Sequence, residues 1–304
     1  MFKGERPALD LPLDFSRPAI PSFRGKKIHI PLPGTLLKDM ETLAANTRTT
    51  LFMVLLGALS VLLSRYARTE DVVIGTTTSG RNHADTIGVV GCLIKTLALR
   101  TFPKRDLLYA DFLSHIRHMA IDAFSHQEYA YGDLVDRLNL PRNAALNPLF
   151  SVMLLVRNFD LPNHSPVFDC IEVMEPDMGV SKLDLTLEVI VRGDAGELVF
   201  EYATNLFTEI TIRRMAGHLM TILAGVTADP GIRLSAIDLM TTRERDELVN
   251  GFCPSRLKYD PGKTVIDLIE HQAGLAPDKT VLVCDTTGRV SYKDSWKVPE
   301  ASPG

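Results

Sequence analysis

Three short stretches of this sequence carry side chains able to hold a metal, move a proton or attack an electrophile. In HIRHMAID, His115, His118 and Asp122 recur at helical spacing. At about 100° per residue they fall within about 60° of one another on one helix face. Two imidazoles and a carboxylate together would suit a metal or an acid–base pair. That face lies opposite the apolar stripe, beside Asp111, Ser114 and Ser125, so the competing reading is a solvated surface with no preorganised shell. In SHQEYAYGDLVDRL, His126 and Gln127 end one apolar-faced segment, and Tyr129 and Tyr131 open the next. A His-Gln pair there can cover the last carbonyls of a helix and complement its dipole, while the tyrosines pack on the corner with wet hydroxyls. Nothing nearby supplies a nucleophile or an orienting partner for His126. In SKLDLTLEVIV, Asp184 and Thr186 alternate with Leu183, Leu185 and Leu187, so a strand would have one polar and one apolar face. The polar face either meets solvent or lines a cleft.

Several chemistries are absent. GTTTSGRN lacks the Lys-Ser/Thr of a phosphate loop, and there is no Gly-x-Ser-x-Gly elbow. The 304 residues carry a net charge of −4 at pH 7, which gives no basic footprint for nucleic acid. The longest apolar run, LFMVLLGALSVLL (51–63), falls short of the roughly 18 residues of a membrane span and reads as a buried helix. The start of the chain lacks the apolar core of a signal peptide. Cys92, Cys170, Cys253 and Cys284 have no metal or redox spacing, as expected of free thiols in a reducing cytoplasm.

The elements that must position these residues mix helices with long strands. Prolines 7, 12, 18, 21, 31 and 33 forbid a helix at the start and imply an extended connector. Leu36 to Thr47 fits a short helix. TLFMVLLGALSVLLSRYA is apolar nearly all round, with Thr49 or Thr50 as cap. DVVIGTTTS and LIKTLALR read as strands, and Asp106 to Ser125 and Tyr131 to Leu138 as helices. LFSVMLLV, VFDCIEVME, LDLTLEVIV and ELVFEYAT are strands, the last two joined by a hairpin at RGDAGE. A helix over about 208–226, a loop and short strand in ADPGIRLSAIDLM, and a small helix in TTRERDELV follow. A Pro-containing linker then leads to a helix in VIDLIEHQAGLA and a strand in TVLVCD, and the tail WKVPEASPG reads as unstructured. The pattern is an α/β sandwich rather than strict βαβ alternation.

Taken together, these segments resemble nonribosomal peptide synthetase condensation domains from about Arg6 to Val249. TLFMVLLGALSVLLSRYARTEDVVIGTTTSGRN resembles their core helix and strand, and IGVVGCLIKTLALR their Gly-x-x-x-Asn-Thr-Leu strand. HQEYAYGDLVDRL resembles the His-Gln-x-x-Pro-Phe-Glu-x-Leu-Val motif, RNAALNPLF the Arg-Asp-x-Ser-Arg-Asn-Pro-Leu-Phe motif, and SKLDLTLEV a further landmark strand. Residues 259–296 resemble the opening of an adenylation domain.

The resemblance implies a chloramphenicol-acetyltransferase-like α/β sandwich lobe, a mixed sheet flanked by helices, matching the C-terminal half of a condensation domain. It implies an inter-lobe crossing segment at 1–35, the lobe at 36–250, a linker at 251–263 and a truncated adenylation start at 264–304. The parent reaction is amide-bond formation between a carrier-bound thioester and an acceptor amine. The family's His-His-x-x-x-Asp-Gly signature belongs to the other lobe, and this sequence has no His-His pair. The chain is therefore expected to be inactive alone, with no catalytic residue of its own, no metal and no bound cofactor. Phosphopantetheine would sit on partner peptidyl carrier domains. A missing N-terminal lobe and self-association are the other expected partnerships, and nucleic acid and membranes are not expected. An interaction module that docks a carrier or a lobe is the alternative. The tunnel-lining or motif candidates are Thr96, His126, Gln127, Ser181 and Asp184. Lys95 stands where the family has Asn, Ala130-Tyr131-Gly132 replace Pro-Phe-Glu, and Asn143, Ala145 and Leu146 replace Asp, Ser and Arg. Without an upstream lobe, residues 6–33 are expected to be mobile, and 260–304 to be poorly ordered.

Overall fold

The structure is a computed structural model, and it describes residues 2, 9–139, 147–157, 177–251, 262–284 and 288–295. The strand expected in VFDCIEVME, the changes at Asn143, Ala145 and Leu146, and Cys170 and Cys253 lie outside these residues. Two compact units divide between Thr242 and Arg243.

In the first unit the elements run β1 (Gly25–Leu32), α1 (Gly34–Asn46), α2 (Leu51–Ala67), β2 (Val72–Thr78), α3 (Ala84–Ile87), β3 (Lys95–Thr101), α4 (Tyr109–Ser125) and α5 (Tyr131–Arg137). They continue with β4 (Val152–Arg157), β5 (Leu185–Arg192), β6 (Ala195–Ala203) and α6 (Glu209–Ala228). The six strands form one sheet in the order β1-β6-β5-β4-β2-β3. β4 runs parallel to β2 and to β5, and the other neighbours are antiparallel, so the sheet is mixed. A two-residue turn joins β5 to β6, and Gly193 supplies its φ of +55° without a Cβ penalty.

Strand alternation divides the sheet into two unlike faces. One face carries Val72, Ile74, Leu99, Val152, Leu154, Leu185, Leu187, Leu198 and Phe200, all buried under the helices. α2 is the central helix of that layer, and every residue from Met53 to Ser64 is buried. Its all-round apolar surface leaves no wet side, which is why α1, α4 and α6 all pack on it. Thr50 caps it by accepting the Met53 N–H at 3.3 Å. Two polar side chains inside this layer are paired: Ser60 donates to the Leu56 carbonyl and Thr101 to Ser60. Tyr109 donates its hydroxyl to the Val54 carbonyl at 3.0 Å, and burial pushes its pKa up. A Cβ on Gly57 would lie 2.9 Å from that hydroxyl, so glycine there lets the ring approach the helix.

The Pro-rich start differs from a loose connector. Residues 25–32 form an edge strand paired along its whole length with β6, and Pro31 sits where an edge strand tolerates a missing N–H. Upstream, Leu11 is buried, and Asp14 accepts from the Thr208 N–H at 2.7 Å and the Thr211 hydroxyl at 2.9 Å, closing the start of α6. The sequence predicts mobility over residues 6–33; within the described part, 9–33, the segment instead finds partners in the same unit. The short strand expected after Pro230 is a 3₁₀ turn, Leu234–Ala236, with a single bridge between Leu108 and Arg233.

A short helix, α7 (Thr242–Asp246), and a π turn over Glu247–Gly251 follow. The second unit holds α8 (Val265–Leu275), the antiparallel hairpin β7 (Thr280–Cys284) and β8 (Gly288–Ser291), and α9 (Tyr292–Ser295). Thr264 and Asp267 cap α8 reciprocally. Among the described residues, no single helix is long and apolar enough to cross a membrane. The pair α1–α2 passes by composition alone, bent by 105°.

Candidate functional site

Among the described residues, only the short α5 comes near the second face of the sheet, at β3. Only a small apolar cluster of Val73, Ala98 and Phe150 grows there, at the corner where Tyr131 opens α5. Tyr131 packs on Phe150 with ring centroids 5.5 Å apart and donates its hydroxyl to Asn147 Oδ1 at 2.7 Å. The hydroxyl is therefore engaged rather than wet, and burial pushes its pKa up to about 12, so it remains a neutral donor at pH 7. Phe150 can press against β2 because position 75 is glycine: a Cβ there would sit 2.2 Å from the ring.

Beyond that corner the face is a shallow concavity of about 570 Å³. Thr96 on β3 and Thr186 on β5 present hydroxyls to it, and two charged pairs cross it. Arg157 Nη2 donates to Glu188 Oε1 at 2.5 Å between the parallel strands β4 and β5. Lys27 Nζ on β1 lies 3.8 Å from Glu201 Oε2 on β6. Burial raises the Glu201 carboxyl above its ordinary range, and the Lys27 charge offsets this in part. Each of these four charges thus has an opposite partner, while Lys182, also on the lining, forms no ion pair among the described residues. Among the described residues the concavity holds no nucleophile set against a base. The arrangement can orient a polar substrate and hold charge.

Only Thr96 of the five sequence-derived candidates lines this concavity. His126 is the C-cap of α4 and is exposed, with Nδ1 2.9 Å from the Asp122 carbonyl and 2.9 Å from Ser125 Oγ. Gln127 is half-buried, and its backbone N–H donates to the Phe124 carbonyl at 3.3 Å. The His126 side chain thus meets a helix-end carbonyl, whereas Gln127 does so through its backbone. Ser181 is buried, with its N–H on the Phe23 carbonyl and its hydroxyl on the Leu183 carbonyl. That local turn breaks the alternation expected from Leu183 onward. Leu183 faces the open concavity, whereas Asp184 is absent from its lining, so Asp184 and Thr186 do not form one polar stripe. Asp184 instead lines an adjoining cleft of about 210 Å³, where it accepts two hydrogen bonds from Arg17 at 2.8 and 2.5 Å. His115, His118 and Asp122 are exposed on α4. No group of three or more His, Cys, Asp or Glu placed for a metal occurs among the described residues.

Two working residues escaped the sequence reading. Arg17 is 167 positions from its carboxylate, and no local pattern marks it. Glu128, inside the His-Gln motif, takes the ammonium of Lys95 and the amide of Asn82 (2.9 Å). These bonds hold its carboxyl below the usual range and tie the 79–94 loop to the α4–α5 corner. Lys95 was visible only as a departure from the family's Asn, and its ionic partner was not.

Comparison with known proteins fits this architecture. The condensation-domain family matches residues 1–249. Tyrocidine synthase 2 of Brevibacillus parabrevis is 38% identical over 297 residues, which cover 96% of this chain and 8% of that protein. The chain thus spans a small part of such relatives. The four-domain nonribosomal peptide synthetase holo-AB3403, bound to AMP and glycine, superimposes with a TM-score of 0.74 at 21% identity, covering 93% of this chain and 22% of that one. The X-domain of teicoplanin biosynthesis, in its complex with OxyB, gives 0.71 at 26% identity, covering 79% and 53%. The mixed sheet with its helical layer is the condensation-domain, chloramphenicol-acetyltransferase-like fold. Over residues 1–249 this chain belongs to the condensation-domain family of nonribosomal peptide synthetases.

Proposed function

We propose that the open sheet face forms one wall of a chamber for amide-bond formation, in which a carrier-bound acceptor amine attacks a carrier-bound thioester. The observation that carries this reading is the concavity itself. Thr96, Thr186 and the Tyr131 corner offer neutral polar groups, and two charged pairs offset each other, so the wall is suited to position and desolvate a substrate. The chain acts as a C-terminal lobe, and turnover requires a second lobe bearing His-His-x-x-x-Asp-Gly, a signature this sequence lacks. The X-domain, of which the match spans 53%, supports the half-domain reading. Phosphopantetheine on peptidyl carrier domains delivers both substrates. Residues 264–304 are the start of an adenylation domain, a reading supported by the tyrocidine synthase 2 match running to 297 aligned residues. The compartment is a reducing cytoplasm.

The test is co-expression with an N-terminal condensation lobe, followed by an amide-formation assay on carrier-bound donor and acceptor. The expected result is product only when both lobes are present. Product from this chain alone, surviving His118→Ala, refutes the reading.

A second reading is a non-catalytic docking module. The X-domain neighbour was solved in complex with a partner protein, OxyB, which makes docking by this fold a concrete option. Carrier binding without amide formation in the two-lobe assay would select it.

A further inference from the structure

The surface at the C-terminal end of α2 carries charge that the open face does not use. Arg65, Arg68 and Arg105 converge on a concavity of about 480 Å³ together with a single carboxylate, Glu70. Three guanidinium charges against one carboxylate leave +2 there, in a chain whose net charge is −4. Glu70 spends one oxygen on the backbone: its Oε1 accepts the Arg105 N–H at 3.0 Å. Among the described residues, no carboxylate forms an ion pair with Arg65, Arg68 or Arg105. Arg65 gives one donor to the Leu234 carbonyl and keeps the others of its fork. Burial, and then the charge of Arg105, make Arg65 easier to deprotonate than an ordinary arginine, so like charges are held together without relief.

The backbone holds the three in place. Arg68 is the left-handed cap of α2 at φ +52°, and the Arg105 carbonyl accepts the Ser235 N–H at 2.9 Å. A helix C-terminus disfavours anions, but here the Arg68 and Thr69 N–H groups both cover the Ser64 carbonyl.

We infer that this concavity binds a doubly charged phosphoryl group, held by the forks of Arg65, Arg68 and Arg105. Guanidinium forks match the paired oxygens of a phosphate bidentately, and a dianion balances the local +2. The site stands apart from the proposed acyl-transfer wall and does not depend on it.

The test is calorimetric titration of the full chain with inorganic phosphate, diphosphate and ADP at matched ionic strength. Saturable diphosphate binding is expected, with the dissociation constant raised at least about tenfold in Arg68→Gln/Arg105→Gln and unchanged in Arg192→Gln. ADP binding no tighter than diphosphate identifies the phosphoryl group alone as the ligand; tighter ADP binding adds a nucleoside contact to the same site. Equal binding by wild type and the double variant, or no saturation below about 10 mM diphosphate, overturns the inference.

Discussion

Arg17→Ala tests how much its ion pair with Asp184 adds to the fastening of the N-terminal segment on the sheet. The pair is bidentate, at 2.8 and 2.5 Å, and its side chains are 24% and 11% exposed for Arg17 and Asp184. Removing one partner of a fully buried pair costs about 3–5 kcal/mol, because the other charge stays desolvated. An exposed pair is worth about 0–1 kcal/mol. The geometry lies nearer the buried limit, with some solvent access at Arg17, which places the loss at about 2–3 kcal/mol. Urea unfolding of the wild type, Arg17→Ala, Asp184→Asn and the double variant measures it. With a slope of about 2–3 kcal/mol/M for a unit of this size, the midpoint should fall by about 1 M in either single variant. The double variant should be little worse than the singles, since neither charge is then stranded. Single losses below about 0.5 kcal/mol, or strict additivity, would refute the reasoning.

Three further outcomes follow from the packing. Burial of Asp14 raises its pKa, but the Thr208 N–H and the Thr211 and Thr208 hydroxyls outweigh this and hold it below the usual carboxylate range. A depressed folded pKa stabilises above the unfolded value and is lost as pH falls, so Asp14→Asn should be less stable than wild type at pH 7 and the gap should close below about pH 4. Thermal melts from pH 7 to 3 read this, and a gap independent of pH contradicts it. Gly75→Ala drives a Cβ into the Phe150 ring and should cost about 1–3 kcal/mol, partly recovered in Gly75→Ala/Phe150→Leu; a neutral single variant would show that the ring is not seated on β2. His126→Ala should change stability by no more than about 0.5 kcal/mol and leave two-lobe amide formation intact; a large loss of turnover would make His126 part of the chemistry.

The sequence determined what is local. The 3.6-residue stripe of α4, the all-apolar α2, the Thr50 cap, the strands β2 and β3 and the β5–β6 hairpin were legible because each follows from residues within one or two turns of one another. The family motifs lay in that same local record, and they carried the fold and the identity. Prolines could exclude a helix from the first 35 residues, but not choose between a loose connector and an edge strand, since that choice depends on whether β6 lies alongside. Thr96 was the one candidate on the open wall; Asp184 went to Arg17, and Lys95 to Glu128. Which face a residue serves at a strand's frayed start, and which charge meets which across 167 positions, is set by the path of the chain. Local spacing holds no record of that path, because a pair brought together by tertiary packing shares no period with its neighbours. Only the assembled sheet made one face a buried core and left the other open.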